Sequence, residues 1–284
     1  MKHTFTKRRA RWAKTMVAAA VMLALLAGFS LTASASADNI AWVHLEAPDV
    51  TIVGRYDNGE LYLPLYIFAD SYGGSIYGWS FSDGCAYVDA DGLYLTAVPG
   101  KLYITANDRC FFTGQPIIDP EGVVYVPIEA LARAYGLEIY YAAWGACLYG
   151  TGYDYCAPAS EQYYGDEVYW LSRIINAEAG GEPFLGKMAV GNVVLNRVES
   201  PSYPDCIWGV IFDRRYGVQF TPTANGTIYR TPSDESVAAA KVCLEGYLLS
   251  DEIMFFLNPR IATSFWIVRS RVPVMSIGNH DFYA

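Results

Sequence analysis

One glutamate stands where its carboxyl group could act as an acid. Glu178 lies in the sequence IINAEAGGEP (174–183), close to the apolar residues Ile174, Ile175 and Ala179. A carboxyl group in such surroundings loses hydration, which raises its pKa and keeps a proton available near neutral pH. General-acid cleavage of a glycosidic bond requires a protonated carboxyl group of this kind.

A second carboxylate follows the Gly180-Gly181 break. Glu182 could pair with Glu178 only at a separation of about 5–5.5 Å for a retaining mechanism or about 6.5–9.5 Å for an inverting one, and the sequence does not give that distance. Its position near the start of the next helix favours a structural role, because a helix N-terminus stabilises an anion.

Helical patterns surround these carboxylates. Apolar spacing predicts an amphipathic helix over 167–179, and Pro183 precedes a second helix over 184–198. Thr231 is expected to cap a third helix over 235–245, with a proline at its first position.

Two long segments, 200–230 and 257–280, read as irregular loops rich in aromatic residues, proline and glycine. Loops of this length on a helical scaffold usually carry function.

The N-terminus reads as a targeting segment. A basic stretch, an apolar run and the Ala35-Ser36-Ala37 motif predict a signal peptide over residues 1–37; the alternative is an uncleaved membrane anchor. Six of the 20 basic residues and none of the 29 acidic residues precede Asp38, so the rest carries a net charge of −15. Such a charge argues against nucleic acid as a partner.

Residues 38–150 contain an internal repeat with an offset of 63. Gly59, Tyr62, Pro64 and Tyr72 correspond to equivalent residues of the second unit, which starts at Gly122. Each unit predicts a strand, a short helix opened by a proline and closed by a glycine, and a second strand. Short strands over 93–96 and 101–105 are expected between the units, and the turn-rich segment 151–166 reads as a linker.

The YVP motif followed by a helix ending in YG resembles the copper amine oxidase N-terminal-like, or stalk, domain of exported bacterial proteins. The resemblance covers about residues 48–150. It implies no copper, and either a wall-binding or spacing module or a packing domain without a ligand.

Residues 167–284 resemble the spore cortex-lytic enzyme and related cell wall hydrolase family. The resemblance lies in NAEAGGEP, GKMAVGNVVLNRV, PSYPDCIWGVI, QFTP, FLNP and IGNHDFYA, which occur in the family's order. It implies a mainly α domain similar to lysozymes and lytic transglycosylases. The chain length and the turn-rich break at 151–166 predict two domains, so this domain follows the α+β repeat domain.

The same resemblance implies roles for individual residues. Glu178 corresponds to the catalytic acid, which would cleave between N-acetylmuramic acid and N-acetylglucosamine and then act as the base. The expected substrate-binding residues are Gln219, Phe220, Asn258, His280 and Glu182. Tyr203, Phe256 and Trp266 are further candidates for rings that pack on sugar faces, although core packing is the alternative for each. His280 could instead be a structural hydrogen-bonding residue.

Other chemistries fit less well. GEPFLGK has the spacing of a phosphate-binding loop but continues with Met188, so ATP is not expected. Two histidines remain after Asp38 and no HExxH motif occurs, so neither a metal nor another cofactor is predicted. Of the six cysteines, Cys206 and Cys243 are expected to pair, and the other four allow three pairings; buried free thiols are the alternative.

The sequence therefore predicts a protein of the cell wall or spore whose partner is the glycan strand of peptidoglycan. A single-glutamate lytic transglycosylase is the first interpretation. Muramidase-type hydrolysis by water and a non-catalytic wall-binding protein remain alternatives, and the need for an accessory regulatory protein stays open.

Overall fold

The computed structural model describes residues 39–284, so the predicted signal peptide lies outside the described residues. Residues 40–284 form one compact unit. Below, the N-terminal region denotes residues 40–150 and the C-terminal region denotes residues 167–284. No helix within residues 39–284 is both long and apolar enough to cross a membrane.

The N-terminal region contains two sheets. The first has six strands in the order β10-β11-β1-β2-β3-β9, and only its β1–β11 pair among the registered pairs is parallel. Its strands are β1 (Ile40–Leu45), β2 (Val50–Asp57), β3 (Glu60–Pro64), β9 (Tyr125–Pro127), β10 (Glu138–Ala142) and β11 (Gly145–Tyr149).

The second sheet is an antiparallel meander of five consecutive strands. They are β4 (Ile76–Ser80), β5 (Cys85–Ala90), β6 (Leu93–Ala97), β7 (Tyr103–Ala106) and β8 (Arg109–Phe112). Strands β6 and β7 confirm the two short strands expected between the repeat units.

Two helices of the N-terminal region, α1 (Leu65–Tyr72) and α2 (Ile128–Tyr135), each follow a proline. The last residues of the two helices pack together, because the ring centroids of Tyr72 and Tyr135 lie 5.5 Å apart. Both units therefore have the order strand, helix, strand. The second strands, β4 and β10, nevertheless join different sheets, so the two units differ in how they complete the fold.

Segment 151–166 is attached along its length to the N-terminal region. The Cys156 N–H donates to Ala134 O at 2.9 Å, and Asn107 Nδ2 donates to Cys156 O at 2.9 Å. Cys156 is only 8% exposed and belongs to the core of that region. The segment was predicted to be a linker because its sequence has no apolar periodicity. Contacts of this kind, made by single residues with distant parts of the chain, produce no periodic pattern.

The C-terminal region is mainly helical. Its three long helices are α4 (Gly165–Ala179), α5 (Phe184–Glu199) and α8 (Asp234–Leu244), and a short turn, α3 (Ala159–Gln162), precedes them. The remaining short helices are α6 (Ile207–Ile211), α7 (Pro222–Asn225) and α9 (Trp266–Ser270). The three predicted long helices are confirmed to within two residues at each end.

Two details of this region differ from expectation. The N-cap of α8 is Ser233, whose hydroxyl accepts from Ser236 N–H at 3.2 Å, and not Thr231. Both segments predicted as irregular loops also contain regular structure: α6 and α7 lie within 200–230, and α9 and the strand Pro273–Ile277 lie within 257–280. A small sheet in the order β12-β14-β13 joins β12 (Phe255–Leu257), β13 (Pro273–Ile277) and β14 (His280–Tyr283).

The predicted Cys206–Cys243 disulfide is wrong. Cys206 is exposed at the start of α6, where its sulfur accepts from Gly209 N–H at 3.4 Å. The Cys243 side chain lies inside the helical core, with its sulfur 3.4 Å from Met188 O and 3.5 Å from Asn192 Nδ2. One thiol therefore faces solvent while the other is fully buried, and no covalent bond joins them.

Candidate active site

Helix α4 carries Glu178 at the end of its buried face. At the start of the helix, the Glu167 carboxylate accepts from Tyr164 N–H at 2.9 Å. Leu171, Ile174 and Ile175 are fully buried, and Glu178 follows them at helical spacing. Its carboxyl group thus emerges where the apolar stripe of the helix ends.

Burial alone raises the pKa of Glu178 to about 7. The side chain keeps partial solvent exposure, yet the surrounding protein removes much of the hydration that its charged form needs. This agrees with the upward pKa shift predicted from the sequence. At neutral pH a large fraction of Glu178 holds a proton that it can donate.

A tight turn follows Glu178 and connects α4 to α5. Asn176 Oδ1 accepts from Ser233 N–H at 3.1 Å and from Ser236 Oγ at 3.2 Å, so the end of α4 is attached to the start of α8. A side chain at Gly180 would bring its Cβ within 2.6 Å of Asn176 O. This close approach explains why a glycine follows the carboxylate.

Glu182 is held from the other side by the end of the chain. Its carboxylate accepts from Asn279 N–H at 2.8 Å and from Asn279 Nδ2 at 3.0 Å, and His280 Nδ1 lies 3.9 Å away. Burial opposes the charged form, but these hydrogen bonds and the nearby charges of His280 and Lys187 outweigh it and lower the pKa of Glu182. Glu182 is therefore ionised and fixed.

His280 is a buried residue of strand β14. It is 7% exposed, and its ring packs edge-on against Phe256 at 5.3 Å. Burial lowers the pKa of its imidazole, although Glu182 and Asp281 act in the opposite direction. Its burial argues against direct contact with a sugar. Within residues 39–284 the Nδ1 atom has no hydrogen-bond partner, so the structure supports a packing role for this ring and not the hydrogen-bonding one.

The remaining predicted substrate-binding residues differ in how accessible they are. Phe220 is only 2% exposed and packs 6.4 Å from Phe256, so its ring belongs to the core and its position does not support sugar stacking. Gln219 and Asn258 are partly exposed. Asn258 Oδ1 accepts from Arg260 N–H at 3.0 Å and shapes its own turn.

Of the three further aromatic candidates, Trp266 is the most accessible. It is 54% exposed, whereas Tyr203 and Phe256 are half-buried. Trp266 lies 6.0 Å from Phe255 and 5.2 Å from the guanidinium of Arg271. Its free ring surface suits packing on a sugar face.

Arg197, a buried arginine that the sequence analysis did not single out, contacts several of the aromatic residues named above and the backbone near β12. Arg197 is 5% exposed, and its Nε donates to Met254 O at 2.9 Å. The rings of Tyr203, Phe220 and Phe255 surround its guanidinium at 5.1–5.3 Å. The only sequence signal for Arg197 was a charged residue in an apolar helix.

Asn279 is a second residue that the sequence analysis missed. The GNH sequence that ends at His280 could have indicated it, because that sequence is typical of a tight turn.

Among the described residues, no group of three or more His, Cys, Asp or Glu side chains could hold a metal ion. The site instead offers acid–base chemistry by Glu178, which is partly exposed and can hold a proton. The carboxylate of Glu182 is bound by hydrogen bonds from Asn279 and has a structural role.

Comparison with known proteins identifies both parts of the chain. Residues 181–283 match the Cell Wall Hydrolase family, and residues 46–144 match the Copper amine oxidase N-terminal domain. The chain thus combines these two domains, as the sequence motifs indicated. Glu178 lies three residues before the range that matches the Cell Wall Hydrolase family.

Individual relatives match the C-terminal region. A spore cortex-lytic enzyme of Halalkalibacterium halodurans is 38% identical over 120 residues, which is 42% of this chain and 35% of the relative. That of Bacillus subtilis is 36% identical over 117 residues, or 41% of this chain and 37% of the relative. The chain therefore spans little more than a third of the length of these two relatives.

A solved structure is also similar: the catalytic domain of the germination-specific lytic transglycosylase SleB from Bacillus anthracis. It is 33% identical, and the match covers 45% of this chain and 100% of that one with a TM-score of 0.40.

Proposed function

We propose that this protein cleaves the glycan strands of peptidoglycan between N-acetylmuramic acid and N-acetylglucosamine, with Glu178 as its single acid and base. The observation that carries the proposal is the contrast within one turn. Glu178 has a pKa of about 7 set by burial, whereas Glu182 is ionised and bound by Asn279. One carboxyl group is available for proton transfer and the other is not.

The reaction needs only that one group. Protonated Glu178 donates to the glycosidic oxygen, and the bond from that oxygen to C1 of the muramic residue breaks. The Glu178 carboxylate then accepts the proton of the muramic C6 hydroxyl, whose oxygen bonds to C1 and closes a 1,6-anhydro ring. Glu178 ends protonated, ready for another cycle.

A specific observation keeps a second candidate open. Glu178 is partly exposed to solvent, so water could take the place of the C6 hydroxyl and give a reducing end, as in a muramidase. A third candidate, a wall-binding protein without activity, is disfavoured by the raised pKa of Glu178. Burial of this carboxyl group lowers stability at neutral pH, and strongly perturbed pKa values of this kind cluster at functional sites.

The names of the relatives favour spore cortex as the substrate. The curated relatives are spore cortex-lytic enzymes, and the solved one is described as germination-specific. We therefore propose that this protein acts at the cell wall or spore and that the predicted signal peptide exports it. Gln219, Asn258 and Trp266 are the partly or fully exposed candidates for holding the glycan.

The test is mass spectrometry of the soluble fragments that the purified protein releases from cortex and from vegetative peptidoglycan. Glu178→Gln keeps the size of the side chain and removes the acid. Glu199→Gln is the matched control, because Glu199 is an exposed carboxylate at the far end of α5.

Anhydro-muramic ends that disappear in Glu178→Gln and persist in Glu199→Gln are expected. Reducing ends with the same dependence would replace the transglycosylase by a muramidase. Full activity of Glu178→Gln would refute the assignment of the acid, and binding to both substrates without any fragments would favour the wall-binding protein.

A further inference from the structure

The N-terminal region touches the C-terminal region on both sides of the turn that follows Glu178. Lys101, two residues before strand β7, and Tyr103, the first residue of β7, provide these contacts. The pair is called the β7 contact below. It reaches the beginning of α5 and the beginning of α8, the two elements that hold the turn Gly180–Pro183.

The first half of the β7 contact is a relay of charges. Lys101 Nζ lies 3.1 Å from Glu235 Oε1, and Glu235 Oε2 lies 2.9 Å from Lys187 Nζ. Lys187 is 3% exposed, and its Nζ also donates to the backbone carbonyl of Glu182. The charge of Lys101, in the connection between β6 and β7, is thus linked through Glu235 and Lys187 to the backbone of the turn.

The second half of the contact is a ring stack. Tyr103 and Phe184 have their centroids 5.1 Å apart with 26° between the ring planes. Phe184 is the first residue of α5 and follows Pro183 directly. The stack therefore fixes the helix start that ends the turn, independently of the lysine relay.

We propose that the β7 contact positions the catalytic turn, so that the N-terminal region is a working part of the active site and not only a spacer. This inference rests on the proposed function. Lys101 and Tyr103 act through Lys187, Glu235 and Phe184, and none of the five contacts substrate. Because the turn joins Glu178 to Glu182, small displacements of it move the acid relative to the sugar, and misplacement of a reacting group lowers the rate steeply.

The experiment compares turnover of full-length mature variants on soluble cortex glycan oligomers. Lys101→Met and Tyr103→Leu remove the two halves of the contact, and the double variant removes both. Lys101→Arg and Tyr103→Phe preserve the charge and the ring. Lys241→Met is the matched control, because Lys241 Nζ also joins the two regions, through Asp108 O at 2.7 Å, but does not lead to the turn.

We expect kcat to fall about two- to fivefold in Lys101→Met and roughly tenfold in the double variant, with KM changed less than about twofold. The conservative variants should restore turnover, and Lys241→Met should leave it unchanged. Melting curves give the folded fraction to which each rate is normalised. Lys101 is 39% exposed, so its single variant is expected to fold even if the double variant does not.

Wild-type kcat in Lys101→Met and Tyr103→Leu would overturn the inference, as would an equal loss in Lys241→Met. A raised KM at constant kcat would overturn it too, since that would indicate direct binding of the glycan. If these variants behave like wild type while Glu178→Gln is inactive, only the present inference fails. If Glu178→Gln is active, the proposed function fails first.

Discussion

Glu178 and Glu182 lie four residues apart, on either side of two glycines, and have opposite electrostatic states. Burial raises the pKa of Glu178 to about 7. Glu182 is also buried, but two hydrogen bonds from Asn279 lower its pKa. The turn between β13 and β14 brings Asn279 to Glu182 from the far end of the chain. The tertiary fold therefore leaves one carboxyl group protonatable and holds the other as a hydrogen-bonded anion.

Activity should depend on the proton of Glu178. We expect kcat to fall as the pH rises through about 7, because the group is a general acid only while protonated. Initial rates on soluble glycan between pH 5 and pH 9 would show this limb. A rate that still rises above pH 8 would indicate that another group supplies the proton.

The same carboxyl group should reduce stability above neutral pH. Its folded pKa of about 7 exceeds the ordinary value of 4.5, so stability from the neutral form is present below 4.5 and lost as the pH rises through 7. Glu178→Gln should match wild type in urea unfolding at pH 4 and exceed it at pH 8 by up to roughly 3 kcal/mol. Equal unfolding free energies at both pH values would argue against burial as the cause.

Gly278 leaves the space that the Glu182 carboxylate occupies. A Cβ at this position would lie 2.1 Å from Glu182 Oε2, and the backbone φ is +61°. Gly226 has a φ of +78° with open space around it, so Gly226→Ala reports the backbone strain alone. Gly278→Ala should lower the unfolding free energy by about 1–3 kcal/mol more, because it also breaks hydrogen bonds to Glu182. Equal losses in thermal melts would contradict this role.

Glu245 anchors the two regions to each other away from the turn. Its side chain is fully buried, with Arg109 Nε 2.7 Å from Oε1 and Arg133 Nη2 3.3 Å from Oε2. Glu245→Gln should lower the unfolding free energy by about 3–5 kcal/mol, because it leaves two arginines without their counter-charge. Glu252→Gln, at an exposed position, is the control for chemical denaturation. A loss below about 1 kcal/mol would show that the arginines find other partners.

Reducing agent should leave the protein unchanged. Cys206 is exposed and Cys243 is fully buried in the helical core, with no bond between them. We expect the melting temperature with dithiothreitol to equal that without it. A fall of several degrees would show that a disulfide forms during export and stabilises the fold.

Local patterns in the sequence were sufficient for the long helices and for the part-buried position of Glu178. The spacing of Leu171, Ile174 and Ile175 fixed the buried face of α4, and therefore the environment of Glu178, within a few turns of helix. The paired glycines likewise marked the break after it. These features are decided by neighbours in the chain, so periodicity and turn chemistry reveal them.

Only the tertiary structure decided which residues surround that acid. Asn279 reaches Glu182 across 97 positions of sequence, and Lys101 reaches Glu235 across 134. Phe220 and His280 proved buried, and both rings pack against Phe256 of strand β12, which no local pattern reports. Contacts between distant segments depend on the sum of many small packing energies, whereas helices and turns depend on residues a few positions apart.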